Sequence, residues 1–276
     1  MANKRFQRKP KIQQKDHEWL YGINAVEAAV SSSYRKHFAM WVKHPVGERI
    51  QRLQKAAEER GISIKKATPE IFETYCPDGV HQGVLLECSA RYLETPTSLP
   101  ATEKINPFYL VLDQIKDPQN FGAILRSAAF FGCSGCIITK DHSPGVTPAV
   151  SKASVGVAEW FPIFETTNLA RFLTDQKKKG FWIVGLAGDG KTELRKLERD
   201  RPLLLVLGNE RRGLRQLVKQ QCDWDVRIEG AEQVESLNVS VAAALALSLI
   251  HISEPTRPLY ISDSRVWVEK KGGGGG

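Results

Sequence analysis

The amino-acid sequence predicts an α/β protein in two parts, a small α/β domain followed by a larger domain built on a mainly parallel sheet with helices on both faces. Three observations predict it. In the second half, wholly apolar runs such as Phe108 to Leu112 and Leu203 to Leu207 alternate with segments of helical length and period. The first half repeats the alternation on a smaller scale, punctuated by turn residues. Between them, 95–107 holds Pro96, Pro100 and Pro107 and reads as a linker.

The small domain is expected over 18–94. A helix from Gly22 to Ser31 comes first, then a strand-like run from Phe38 to Val42 and an amphipathic helix from Val46 to Arg60, closed by Gly61. Ser63 to Lys65 is a short strand, Thr68-Pro69-Glu70 starts another helix, and the loop His81-Gln82-Gly83 leads into a strand from Val84 to Cys88. The larger domain is expected over 108–246. Its further strands are Gly135 to Thr139, Phe181 to Gly185 and Leu203 to Leu207, separated by helices at Ala123 to Phe131, Leu169 to Lys179 and Leu214 to Gln220. In such a sheet, ligands bind at the carboxyl ends of the strands, which points to the loops after Leu112, Leu207 and Ile228.

Charge adds a second constraint. The net charge is +8, and residues 1–15 hold Lys4, Arg5, Arg8, Lys9, Lys11 and Lys15 with no acid. An arm spanning 1–17 with this pattern suits a polyanion, since each phosphate contact releases condensed counterions; it also suits a solvated, solubilising tail. The longest apolar stretch, Val239 to Ile250, is too short to span a bilayer, and no secretory leader opens the chain, so a membrane protein is not expected. Five cysteines without secretory context fit reduced thiols in the cytoplasm. Cys133 and Cys136 have C-x-x-C spacing, but no second pair completes a zinc site, and plain buried thiols are expected; no metal is assigned.

Three segments carry chemistry. The first runs from Asp113 through Asn120, Gly122 and Arg126 to Ala129. The second is Leu205 to Leu214, with Leu207, Gly208, Asn209, Glu210 and Gly213. The third is Val226-Arg-Ile228-Glu-Gly230, continuing through Ser236, Leu237 and Asn238 to Ala243. By residue type alone, Asn120, Ser236 and Asn238 could be helix caps and Arg126 a surface arginine. In this order and spacing, however, the segments resemble the three motifs of the SpoU/TrmH family of RNA 2′-O-ribose methyltransferases, in the SPOUT class, and most of all its rRNA guanosine-2′-O-methyltransferase branch. Val150 to Ser154 and Thr167 to Ala170 add to the likeness. A weaker one, at Leu20 to Ala25 and Val80 to Gly83, resembles that family's ribosomal-protein-like substrate-binding domain.

The resemblance implies S-adenosylmethionine as cofactor and a structured RNA, ribosomal or transfer, as substrate. It places Asn120, Arg126, Glu210, Ser236 and Asn238 around the reacting ribose. Cofactor contacts fall to Leu207, Gly208, Ile228 and Leu237, and RNA contacts to Lys4, Arg5, Arg8, Lys9, His81, Gln82 and Arg126. It also implies a trefoil knot and a homodimer formed through the methyltransferase domain. A guanidinium has no ready acceptor for a proton, so Arg126 is better cast as a phosphate clamp than as a base. One departure is the loop after Ile228, where Glu229 and Glu232 could favour a sulfonium cation or simply be solvated.

Two other readings compete. Gly185 to Thr192 is a literal phosphate-loop pattern after a strand, which raises a nucleotide triphosphatase. A non-catalytic RNA-binding protein of the same fold is the other, although all five polar motif residues are present. Finally, Leu247 to Arg257 reads like an in-frame translation of a transposase-type sequencing adapter, and Lys270 to Gly276 like translated homopolymer runs. The segment 247–276 is therefore expected to lie outside the native fold.

Overall fold

A computed structural model describes residues 17–77, 79–100, 106–197, 200–230 and 236–252. The first domain consists of β1 (His17–Tyr21), α1 (Ile23–Ser31), β2 (His37–Val42), α2 (Glu48–Glu59), β3 (Ser63–Lys66), α3 (Pro69–Tyr75) and β4 (Val84–Ser89). Its sheet has the order β1-β4-β2-β3. Leu20, Leu86 and Met40 lie in register across three strands. They form one core with Val26, Ala29 and Val30 of α1 and with Ile50, Leu53 and Ala57 of α2. Those α2 positions are three and four apart, the spacing of one helix face. On the opposite face Trp19, Tyr21 and Trp41 pack with Phe72 of α3.

The second domain consists of β5 (Phe108–Leu112), α4 (Pro118–Phe130), β6 (Cys136–Thr139), α5 (Pro148–Ala153), β7 (Ile163–Thr166), α6 (Leu169–Lys177), β8 (Trp182–Leu186), β9 (Thr192–Glu193), β10 (Leu203–Leu207), α7 (Gln216–Lys219), β11 (Trp224–Arg227) and α8 (Val239–Ile252). The seven strands run in the order β7-β6-β5-β10-β8-β11-β9, and every pairing is parallel. Every residue of β5 and β10 is buried, as expected of central strands covered on both faces. One face packs under α4 and α8 and the other under α6 and α7. Leu112, Leu207 and Leu186 are in register, so the loops after β5, β10 and β8 share one edge. Cys133 and Cys136 are buried thiols; Cys133 Sγ donates to the carbonyls of Phe108 and Gly135.

Three segments add to or differ from the sequence reading. The phosphate-loop pattern is followed by the two-residue strand β9 and not by a helix, and Arg227 Nη1 donates to the Gly190 carbonyl at 2.7 Å. Without a helix N-terminus, the loop lacks the dipole and the row of free N–H groups that hold a triphosphate, and the triphosphatase reading falls. The segment 95–100 is mostly exposed but anchored at its end: Tyr109 Oη donates to the Pro100 carbonyl at 2.8 Å, and Leu99 joins the core beside α6. Lastly, α8 passes Ala246 and ends at Ile252, with Leu247 and Ile250 only 0% and 2% exposed. The run Leu247-Ser-Leu-Ile-His-Ile continues the apolar helical pattern, whatever its origin.

The two domains meet along β1, α1 and α5 around a buried polar cluster. Arg35 donates to Glu159 on one side, and to Glu18 at 2.6 Å and the Ser89 carbonyl at 2.9 Å on the other. Burial alone would lower the Arg35 pKa, but the charge and hydrogen bonds of Glu159 outweigh it and hold it above its ordinary value. Arg91 donates to the carbonyls of Ala158 and Phe161. Gly156, at φ +86°, lies directly against α1: a Cβ there would come within 2.6 Å of the Asn24 carbonyl oxygen.

Candidate active site

The site begins where β10 ends. Asp113, just past β5, donates its N–H to the Leu207 carbonyl at 2.8 Å, and its buried carboxylate takes Arg215 Nε at 2.8 Å and Nη2 at 2.7 Å. Both nitrogens meet Oδ1 while Oδ2 accepts the Arg215 backbone N–H at 3.1 Å, and this charge-assisted contact ties the loop after β10 to the loop after β5. Within the loop, Asn209 and Gly213 exchange two backbone hydrogen bonds, at 3.0 and 2.8 Å, closing a tight turn. Gly208 is required by contact: a Cβ there would lie 2.2 Å from the Gly213 carbonyl carbon. Asn209 fixes the turn, accepting from the N–H groups of Arg211 and Arg212 and donating to the Gln114 carbonyl at 2.9 Å.

Glu210 projects from this turn toward α4. Its Oε1 accepts from Asn120 Nδ2 at 3.1 Å and its Oε2 from Asn209 Nδ2 at 3.2 Å. A carboxylate only accepts, so Asn120 must present its NH2 to Glu210 and turn its oxygen elsewhere. That oxygen accepts from Asn238 Nδ2 at 3.1 Å. Asn238 Oδ1 in turn caps α8, taking Ser240 N–H at 2.8 Å. One residue from each of the three sequence segments thus joins a continuous chain, Glu210–Asn120–Asn238. The cap of α4 is Asp117, bonded to the N–H groups of Gln119 and Asn120, which frees the Asn120 side chain for the cluster. Gly122 lets α4 lie on α5: a Cβ there would be 2.5 Å from Ala153 Cβ and 2.8 Å from Ser154 N.

Other expected residues lie apart from this chain. Arg126 is exposed and without a partner among the described residues. Six positions along a helix place it about 120° around α4 from Asn120 and about 9 Å along its axis. Ser236 and Leu237 are exposed, and Ile228 is half-buried against the main core. Glu229 pairs with Arg195 Nη2 at 2.9 Å; Glu232 lies outside the described residues. His81 and Gln82 are bonded within the small domain and, through Gln82, to α5 of the second domain. His81 Nδ1 accepts the Gly83 N–H at 3.0 Å and its ring stacks on Phe72. Gln82 Oε1 accepts from Ile23 N at 3.0 Å and Lys152 Nζ at 3.1 Å. Lys4, Arg5, Arg8 and Lys9 lie outside the described residues. Sequence reasoning missed the Asp113–Arg215 pair, although an Asp directly after a five-residue apolar run was its visible signal.

An all-parallel sheet with a glycine turn and an amide–carboxylate chain at its carboxyl edge is the arrangement in which open α/β enzymes bind their ligands. Residues 107–248 match the SpoU rRNA Methylase family, and residues 19–93 match the domain described as RNA 2′-O ribose methyltransferase substrate binding. The chain is 36% identical over 235 residues to a putative TrmH family tRNA/rRNA methyltransferase of Bacillus subtilis, covering 84% of this chain and 94% of that one. It is likewise 36% identical over 236 residues to the 23S rRNA (guanosine-2′-O-)-methyltransferase of Shewanella oneidensis, covering 84% and 96%. Among solved structures, the SpoU methyltransferase AviRb of Streptomyces viridochromogenes in complex with AdoMet shares the fold, with a TM-score of 0.74 at 18% identity over 87% of this chain and 91% of that one. The AdoMet-bound rRNA methyltransferase of Sinorhizobium meliloti shares it as well, with a TM-score of 0.73 at 22% identity over 88% and 90%. The chain belongs to the SpoU rRNA methylase family and is a methyltransferase.

Proposed function

We propose that this protein transfers the methyl group of S-adenosylmethionine to a ribose 2′-hydroxyl in ribosomal RNA, at a guanosine of the large-subunit RNA. The observation that carries this reading is the Glu210–Asn120–Asn238 chain, which joins all three sequence segments at the carboxyl edge of the sheet. The RNA target is taken from the relatives, several of which are named as 23S rRNA (guanosine-2′-O-)-methyltransferases.

The residues present fit the cofactor. Ile228 and Leu237 offer apolar surface for a base, the glycine turn at Gly208 allows close backbone approach, and the Glu210 carboxylate suits a neighbouring cation. When bound, the cofactor supplies a methyl already activated on a sulfonium, so the protein's task is alignment and proton removal. Asn120 and Asn238, fixed by their mutual bond, orient the ribose, and Ser236 stands two residues before Asn238. Glu210 has lone pairs beyond the two amide bonds and takes the hydroxyl proton. Arg126, unpaired and exposed, grips a phosphate of the bound RNA.

The homodimer, the knot and the cytoplasmic location belong to the same reading. Phe130 of α4 is 81% exposed, and Val241 and Leu245 of α8 are 47% and 42% exposed. The last two are four apart, so they share one helix face, and α8 packs on α4. A second copy would cover this apolar surface. The knot is carried over from the family that the three sequence segments resemble, and the packing of α8 on α4 is compatible with it. No described helix is long and apolar enough to cross a membrane. Mapping 2′-O-methylated nucleotides in host RNA with and without the gene tests the reading. Loss of one ribosomal guanosine mark on deletion is the expected result, and an unchanged map would refute it.

A further inference from the structure

The Asn209–Gly213 turn carries two groups that methyl transfer does not use, the consecutive arginines Arg211 and Arg212. Both are exposed, and neither side chain has a hydrogen-bond, ion-pair or ring partner among the described residues. Several other exposed arginines are paired: Arg215, in the same loop, with Asp113, Arg195 with Glu193 and Glu229, and Arg201 with Asp200. The adjacent acid forms no ion pair with either of them, since the Glu210 carboxylate is turned to the side-chain amides of Asn120 and Asn209. The backbone beneath is held firmly by the two Asn209–Gly213 bonds, by the Asn209 side chain bonded to the N–H of both arginines, and by the Gly208–Gly213 contact. A fixed loop thus presents two guanidinium groups next to the site, neither of them ion-paired among the described residues.

We propose that Arg211 and Arg212 form a phosphate-binding element for the RNA strand that enters the site, each gripping a phosphodiester near the target ribose, an assignment that rests on the reading of the substrate as RNA. A guanidinium suits this task because its planar fork matches two phosphate oxygens at once. Because the turn also holds Glu210, a strand seated on the arginines is registered against the residue that takes the proton. The element is separate from Arg126, which is on α4 and has no hydrogen bond or ion pair to the turn among the described residues.

The test uses the full chain and a fluorescently labelled, unmodified 23S ribosomal RNA transcript, titrated across a range of salt. In the Arg211→Ala/Arg212→Ala double variant, the slope of log affinity against log salt should become shallower by about 1.4, the sum for two single-strand phosphate contacts at about 0.7 each. S-adenosylmethionine affinity, measured by calorimetry on the same preparation, should not change, which shows that the turn is still folded. Arg211→Lys/Arg212→Lys should keep the slope but bind more weakly, having lost the fork. A wild-type slope and affinity in the double alanine variant would overturn the assignment, and full affinity in the double lysine variant would overturn the forked grip. Failure of the wild-type protein to bind the transcript would sink both this element and the proposed function. Failure to bind S-adenosylmethionine, with the slope change intact, would sink the proposed function alone.

Discussion

Arg35 and Glu159, 124 residues apart, form a fully buried forked ion pair across the domain interface, with Arg35 Nε 2.7 Å from Oε2 and Nη2 3.1 Å from Oε1 of Glu159. Glu159 also accepts from Ser151 Oγ, and Arg35 reaches the Val146 carbonyl at 2.9 Å. Removing Glu159 leaves the buried Arg35 guanidinium with only the partly exposed Glu18 as counter-charge, and breaking a buried pair in this way costs up to about 3–5 kcal/mol. We expect Glu159→Ala to undock the small domain, seen as a split unfolding transition and faster proteolysis between the domains. Arg35→Met/Glu159→Leu should be less destabilised than Glu159→Ala, since neither charge of the fully buried pair remains and Glu18, left without Arg35, is partly exposed to water. A single variant with wild-type unfolding would show that the pair does not hold the domains together.

The same interface sets a pH dependence. Burial lowers the pKa of His37, with Glu159 opposing, and Nε2 of its ring is buried without a partner. His81 is also lowered, by burial and then by Lys43 and Lys152. A histidine depressed in the folded state is protonated more readily when unfolded. Its contribution is therefore complete above the unfolded value of about 6.5 and is lost as pH falls through the folded pKa. Glu18, raised by burial, works the other way at the acid end of the range. We expect Tm to fall between pH 7 and pH 5.5, and His37→Gln to flatten that fall. An equally steep fall in the variant would assign the effect elsewhere.

The sequence made some of this legible and hid the rest for physical reasons. Buried parallel strands such as Leu203–Leu207 have no polar face, so they stand out as apolar runs. By contrast β1, His-Glu-Trp-Leu-Tyr, is short and mixed, and β9 has two residues; neither carries a periodic signal. Asn120, Glu210 and Asn238 were legible as polar residues at predicted strand and helix ends. Their mutual bonds were not, because those depend on Asp117 taking the cap of α4. The Arg35–Glu159 pair was invisible because single charged residues on a sequence give no sign of burial.

The end of α8 gives a third prediction. Leu247 and Ile250 fill the main core, so a chain ending at Ala246 loses both side chains. Each is worth about 1.5–3 kcal/mol of burial. We expect truncation after Ala246 to lower Tm markedly and truncation after Ile252 to leave it nearly unchanged. Leu247→Ala alone should cost about 2–5 kcal/mol. Equal stability of the two truncated chains would mean that the helix end adds nothing to the fold.

Arg126 gives the sharpest test of the site. It stands outside the Glu210–Asn120–Asn238 chain, exposed on α4 and unpaired among the described residues, so removing it should disturb neither the fold nor the cofactor surface. If it grips RNA in the transition state, Arg126→Ala should slow single-turnover methylation by about two to three orders of magnitude, the scale for losing one preorganised donor. Asn120→Ala should be similarly slow for a different reason, because it unties Glu210 from Asn238. The two can be separated by S-adenosylmethionine affinity, which should stay at the wild-type value in Arg126→Ala. Arg126→Lys should remain poor, since an ammonium keeps the charge but loses the fork. Substantial rescue by lysine would show that charge alone suffices. Full activity in Arg126→Ala would leave methyl transfer to the three-residue chain and remove Arg126 from the site.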